Sequence, residues 1–82
     1  MATTTEQTAR PVASIAIHVN GEPREVPGGL TVEALLRHLD RDPGMPGFAV
    51  AVNDAVVRRA EWARATVDGG DRVEIVTASQ GG

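Results

Sequence analysis

Cysteine is absent from the 82 residues, which excludes disulfides, cysteine-ligated zinc and any thiol nucleophile of the chain's own. Lysine is absent too; all eight basic residues are arginine, which reads as compositional bias. Aromatic residues are reduced to Phe48 and Trp62, so a core must be assembled from Val, Leu, Ile and Ala. No apolar run approaches the roughly 18 residues of a membrane span, and no basic segment followed by an apolar stretch marks a secretory leader. The expectation is a cytoplasmic protein with no membrane attachment. Positive charge is not in excess: 11 acidic residues against eight basic ones give a net charge of −3, with no basic stripe of the kind a nucleic-acid surface needs. What remains is one small domain, 41% hydrophobic, with no room for a catalytic cleft between two domains.

Residues 1–12 (MATTTEQTARPV) lack apolar periodicity and read as a disordered leader, so the domain is expected over 13–77. In Ser14–Val19, Ile15, Ile17 and Val19 alternate with Ala16 and His18, the period of a half-buried strand. Asn20-Gly21 tolerates the positive φ angles of a two-residue hairpin turn. The return strand, Glu22–Val26, contains Pro23, which lacks an N–H and belongs at a sheet edge. Thr31 is placed to cap a helix whose apolar stripe is Val32, Leu35, Leu36 and Leu39. Glu33 lies in its first turn and Arg37 and His38 near its end, as the helix dipole favours. A Pro/Gly loop comes next. Phe48–Asn53 reads as an interior strand, apolar on both faces. Ala55–Arg58 is a short strand, Arg59–Ala65 a short helical turn carrying Trp62 as a satellite core residue, and Arg72–Thr77 the last strand.

One amphipathic helix covers one face of one sheet, so the fold class is α+β. The element order places the first and last strands side by side and parallel at the centre. That is the β-grasp (ubiquitin-like) architecture: a mixed sheet of four to five strands, one main helix on one face, and a flexible C-terminal Gly-Gly tail over 78–82.

No catalytic set emerges. His18 and His38 belong to different elements and read as surface histidines, not metal ligands. Gly28-Gly29 fits neither phosphate-binding glycine pattern. The carboxylates have no acid–base spacing, and Arg58-Arg59 reads equally as a solvated pair or as a surface for an acidic partner. The tail differs. Two glycines form a thin thread able to enter a narrow channel, presenting a main-chain carboxylate.

Several segments carry a resemblance: Val19-Asn20-Gly21, Leu30 through Leu36, Ala51-Val52-Asn53 through Val57-Arg58 to Trp62, Gly70 through Val76, and the closing Gly81-Gly82. Together, in this order and spacing over roughly residues 14–82, they resemble the ThiS family of sulfur carriers in thiamin biosynthesis. The departures are the N-terminal extension and a longer Pro/Gly loop at 42–47.

The resemblance implies a protein cosubstrate, not an enzyme. It implies that a ThiF-like adenylating enzyme, using ATP and Mg²⁺, activates the Gly82 carboxylate. Gly81, Gln80 and Ser79 would thread into the partner. A cysteine desulfurase or other sulfur donor would then convert Gly82 to a thiocarboxylate that thiazole synthase consumes. The chain itself is expected to hold no cofactor or metal and to be monomeric when free. Docking is expected on the sheet face away from the helix, to which Ala16 and His18 have the right parity; strand pairing decides whether Glu74 and Val76 join them.

Two other readings stay open. The small MoaD-like subunit of molybdopterin synthase shares the tail chemistry, but a Pro-Pro pair is expected there ahead of the glycines, where this chain has Thr77-Ala78-Ser79-Gln80. Carriers that donate sulfur to cysteine synthesis or to tRNA belong to the same class. A reading of another class is a ubiquitin-like binding module with no tail chemistry.

Overall fold

The computed structural model describes residues 13–77; the expected leader (1–12) and tail (78–82) lie outside them. Five strands form one sheet: β1 (Ser14–Val19), β2 (Glu22–Pro27), β3 (Phe48–Val52), β4 (Ala55–Val57) and β5 (Arg72–Thr77). The strand order is β2-β1-β5-β3-β4, with β5 parallel to β1 and antiparallel to β3. This is the α+β arrangement expected, with first and last strands adjacent at the centre. β2 is an edge strand, and Pro23 lies on it opposite His18.

Helix α1 (Val32–His38) begins where the sequence says it should. The Thr31 hydroxyl accepts the Ala34 N–H at 3.1 Å, and Val32, Leu35 and Leu36 are fully buried. These three pack with Ile17, Val26, Val50, Trp62, Val67, Val73 and Ile75 in one core on one face of the sheet. Each such aliphatic side chain contributes about 1.5–3 kcal/mol relative to exposure.

Several local readings change in detail. β4 ends at Val57, and only Arg59–Glu61 is helical, as a 3₁₀ turn. The segment beyond that turn sets the limit. Residues 62–67 run alongside the start of α1, where Val32 N–H donates to Ala65 O, Glu33 N–H to Trp62 O and Val67 N–H to Leu30 O. The Arg64 and Ala65 N–H groups still close on Glu61 O, but the Trp62 and Ala65 carbonyls and the Val67 N–H are taken by these contacts, so the helix propagates no further. Trp62 is consequently not a satellite. It is 4% exposed, inside the main core, and its Nε1–H donates to Val57 O at 2.8 Å. β3 is interior in the sheet, but its second face is open, because one helix covers only one side: Val50 is buried while Ala49 is exposed.

Candidate functional site

The residues expected to carry the chemistry, Ser79, Gln80, Gly81 and Gly82, lie outside the described residues. What is described is the strand from which they continue and the surface beside it. β5 is held between β1 and β3, and its last residue, Thr77, stands opposite Phe48, the first residue of β3. The strand leading to the tail is thus the central strand of the sheet.

Two turn asparagines extend the hydrogen bonding of that strand. β1 pairs with β5 only through Val19, where the hairpin turns away. The Ile75 N–H and C=O beyond this point would face no backbone partner. The Asn20 side chain supplies what is missing: its Oδ1 accepts from Ile75 N at 2.8 Å and its Nδ2 donates to Ile75 O at 3.3 Å. One carboxamide thereby replaces one peptide unit of the ladder. At the other end, Asn53 Oδ1 accepts from Arg72 N at 2.8 Å and Asn53 Nδ2 donates to Asp71 Oδ1 at 3.0 Å. Both asparagines adopt positive φ, at 52° and 53°. Sequence reasoning used Asn20 only for its turn conformation and missed the second role. The signal available was that a Val-Asn pair ends both β1 and β3, but partners 55 and 19 residues away are fixed by topology alone.

Strand pairing settles the face opposite the helix. Ala49 stands opposite Val76, and Ala51 opposite both Glu74 and Val56. Glu74 and Val76 therefore share the uncovered face with Ala16 and His18. That face divides in two. Across β1 and β2 it presents His18, Pro23 and Glu25, with Arg72 beside His18. Across β5, β3 and β4 it presents Ala49, Ala51, Val56 and Val76, with Val56 71% and Val76 60% exposed, and one carboxylate, Glu74, opposite Ala51. A shallow apolar groove lined by Gly47, Phe48, Ala49 and Val76 borders this second half, next to the end of β5.

Arg58 and Arg59 separate in role. Arg59 donates from Nη1 to Pro43 O and from Nη2 to Met45 O at 3.2 Å and Phe48 O at 3.4 Å. Its Cζ lies 4.3 Å from the Trp62 ring centroid and 5.3 Å from that of Phe48. It is a loop anchor, not half of a solvated pair. Among the described residues, every buried side-chain nitrogen and oxygen has a hydrogen-bond partner, no cluster of three or more His, Asp or Glu side chains could hold a metal, and no helix is long and apolar enough to cross a membrane.

The arrangement offers a chemically quiet domain with an apolar patch beside the root of its C-terminal residues. The chain is similar to the solved structure of a thiamine biosynthesis protein (ThiS) from Geobacter metallireducens, with a TM-score of 0.71 and 33% identity, covering 83% of this chain and all of that one. No curated protein matches it. The model of the ThiS family matches residues 17–82, a span that holds the whole sheet from Ile17 onward and also Ser79 to Gly82, and this chain belongs to that family.

Proposed function

We propose that the protein is a sulfur carrier of thiamine biosynthesis whose reactive group is the Gly82 carboxylate. The observation that carries this reading is the family match running through Gly81-Gly82, on a domain whose central strand leads directly into those residues. The chain acts as cosubstrate. Its described residues offer a fold and a surface, and the partner enzymes supply positioning and charge stabilisation.

An α-carboxylate, with a pKa of about 3.3–3.7, is ionised at neutral pH and is a poor electrophile. Adenylation changes that. A Gly82 carboxylate oxygen attacks the α-phosphorus of ATP on a ThiF-like enzyme with Mg²⁺, and pyrophosphate leaves. The terminal sulfur of a persulfide, charged by a cysteine desulfurase or another donor, attacks the acyl carbon, and AMP leaves. A thiol then cleaves the acyl disulfide at its S–S bond, giving the Gly82 thiocarboxylate and an ordinary disulfide. Thiazole synthase takes the sulfur and returns the carboxylate. Ser79, Gln80 and Gly81 are the thread into these active sites. The adenylating enzyme docks on the apolar half of the uncovered face, where Val56 and Val76 lose exposed area on contact.

The test is to incubate the chain with its organism's adenylating enzyme and ATP. The expected product is an AMP adduct on Gly82, converted by the sulfur donor to a species in which one oxygen is replaced by sulfur. No adduct on Gly82 removes the carrier reading and leaves a ubiquitin-like binding module.

A further inference from the structure

On the reading of the chain as an adenylated carrier, we propose that Arg59 is a positioning residue: it fixes the 42–47 loop as a wall beside the end of β5 and so governs how the adenylating enzyme seats on the tail.

The loop needs an external anchor. Its six residues include Pro43 and Pro46, which have no N–H to donate. Its own hydrogen bonds are confined to one turn, where Gly44 N–H donates to Asp42 Oδ1 at 2.9 Å and Met45 N–H to Asp42 O at 3.0 Å. The carbonyls of Pro43, Met45 and Phe48 point to the same place, and the Arg59 guanidinium fills it from a separate element, the 3₁₀ turn after β4. A planar guanidinium carries five donors in a fixed fork and can lay its face over rings while it donates; an ammonium has three donors but no planar face to stack. The rings it covers, Phe48 and Trp62, are 5.4 Å apart and tie the anchor to the core.

The loop's position matters because of what it adjoins. Phe48 ends the loop, begins β3 and stands opposite Thr77. On one side of Phe48 lies the groove bordered by Val76. On the other lies a groove lined by Leu39, Arg41 and Met45, with Met45 54% exposed. A partner that follows the tail to its root meets this wall next. Arg59 itself is exposed, so its bonds contribute little to global stability, and its loss should shift the loop rather than unfold the domain.

The experiment compares Arg59→Lys with the wild-type full chain, by amide hydrogen exchange and by steady-state adenylation. The expected result has two parts. Exchange at Gly44 and Met45 quickens by about tenfold while the core amides keep their protection. KM for the carrier rises by about tenfold with kcat held within about twofold. Asp42→Ala, which releases the loop from its other side, should raise KM in the same direction. Unchanged exchange in Arg59→Lys overturns the anchoring role. Faster exchange with unchanged KM overturns the link to the partner, and a raised KM without faster exchange shows direct contact instead of positioning. If the wild-type chain is not adenylated at all, the carrier reading falls and the partner half of this proposal with it. Hydrogen exchange still decides whether Arg59 holds the loop.

Discussion

Along the same strands, alternate residues meet opposite fates. Val50 and Ile75 face α1 and are buried in the core, whereas Ala49 and Val76, one position away, face solvent. A strand with period two serves both faces at once. A two-layer domain with one helix cannot cover the second face, and this chain does not make that face uniformly polar. Its β1-β2 half carries His18 and Glu25, while its β5-β3-β4 half is mostly apolar, with Glu74 set among Ala49, Ala51, Val56 and Val76. The division implies that stability and partner recognition reside in different residues, separable by substitution even where those residues are neighbours in sequence.

The largest expected effect lies outside both faces. Deleting Gly81-Gly82 should abolish adenylation while leaving the thermal midpoint unchanged, since the described core is assembled from residues 17–75. A midpoint that falls sharply would tie the tail to the fold and break the separation. On the covered face the reverse is expected. Leu35→Ala should cost about 2–5 kcal/mol, measured by urea denaturation, because it empties a fully buried site. In a domain this small that is a large share of total stability.

The covered face was largely legible from sequence. Period-two alternation in β1, Pro23 as an edge marker, the Thr31 cap and the Val32/Leu35/Leu36 stripe each specify a local geometry through rules that act within a few residues. Val67 was not legible. It is 1% exposed in a segment with no periodicity, buried because residues 62–67 run along α1. The anchoring role of Arg59 and the second role of Asn20 were hidden for the same reason: their side chains act on backbone groups 11–16 and 55 residues away. The division of the open face was half legible. Parity placed Ala16 and His18, but Glu74 and Val76 awaited the pairing of β5 with β3.

Asn20 sits where the two faces share a backbone. Asn20→Gly keeps the positive-φ turn and removes the carboxamide, so it isolates the two hydrogen bonds to Ile75. The expected cost is about 1–3 kcal/mol, the penalty of stranding a partly buried N–H and C=O. A cost near zero would mean that water replaces the side chain and that the central strand needs no such support. On the open face, the double variant Val56→Thr/Val76→Thr preserves β-branching and strand preference. Its stability should stay within about 0.5 kcal/mol of wild type. Its KM in adenylation should rise by about tenfold, equivalent to roughly 1.4 kcal/mol of lost binding. Equal losses in stability and binding would show that this half of the face is structural after all.

The smallest effect tests whether charge on the uncovered face contributes to the fold. Arg72 donates from Nη2 to Asp54 Oδ2 at 2.8 Å, the shortest of the described ion pairs, yet the two side chains are 57% and 75% exposed. In such surroundings the attraction is screened by water and salt, and holding two side chains in register costs rotamer entropy. Asp54 also has a φ of 72°, a conformation that Asn tolerates well. Asp54→Asn therefore removes the charge without straining the turn. The expected change in urea denaturation is within about 0.5 kcal/mol at low salt, vanishing at high salt. A loss well above that, persisting at high salt, would mean that the turn between β3 and β4 depends on the carboxylate. Part of the open face would then have to be counted with the covered one.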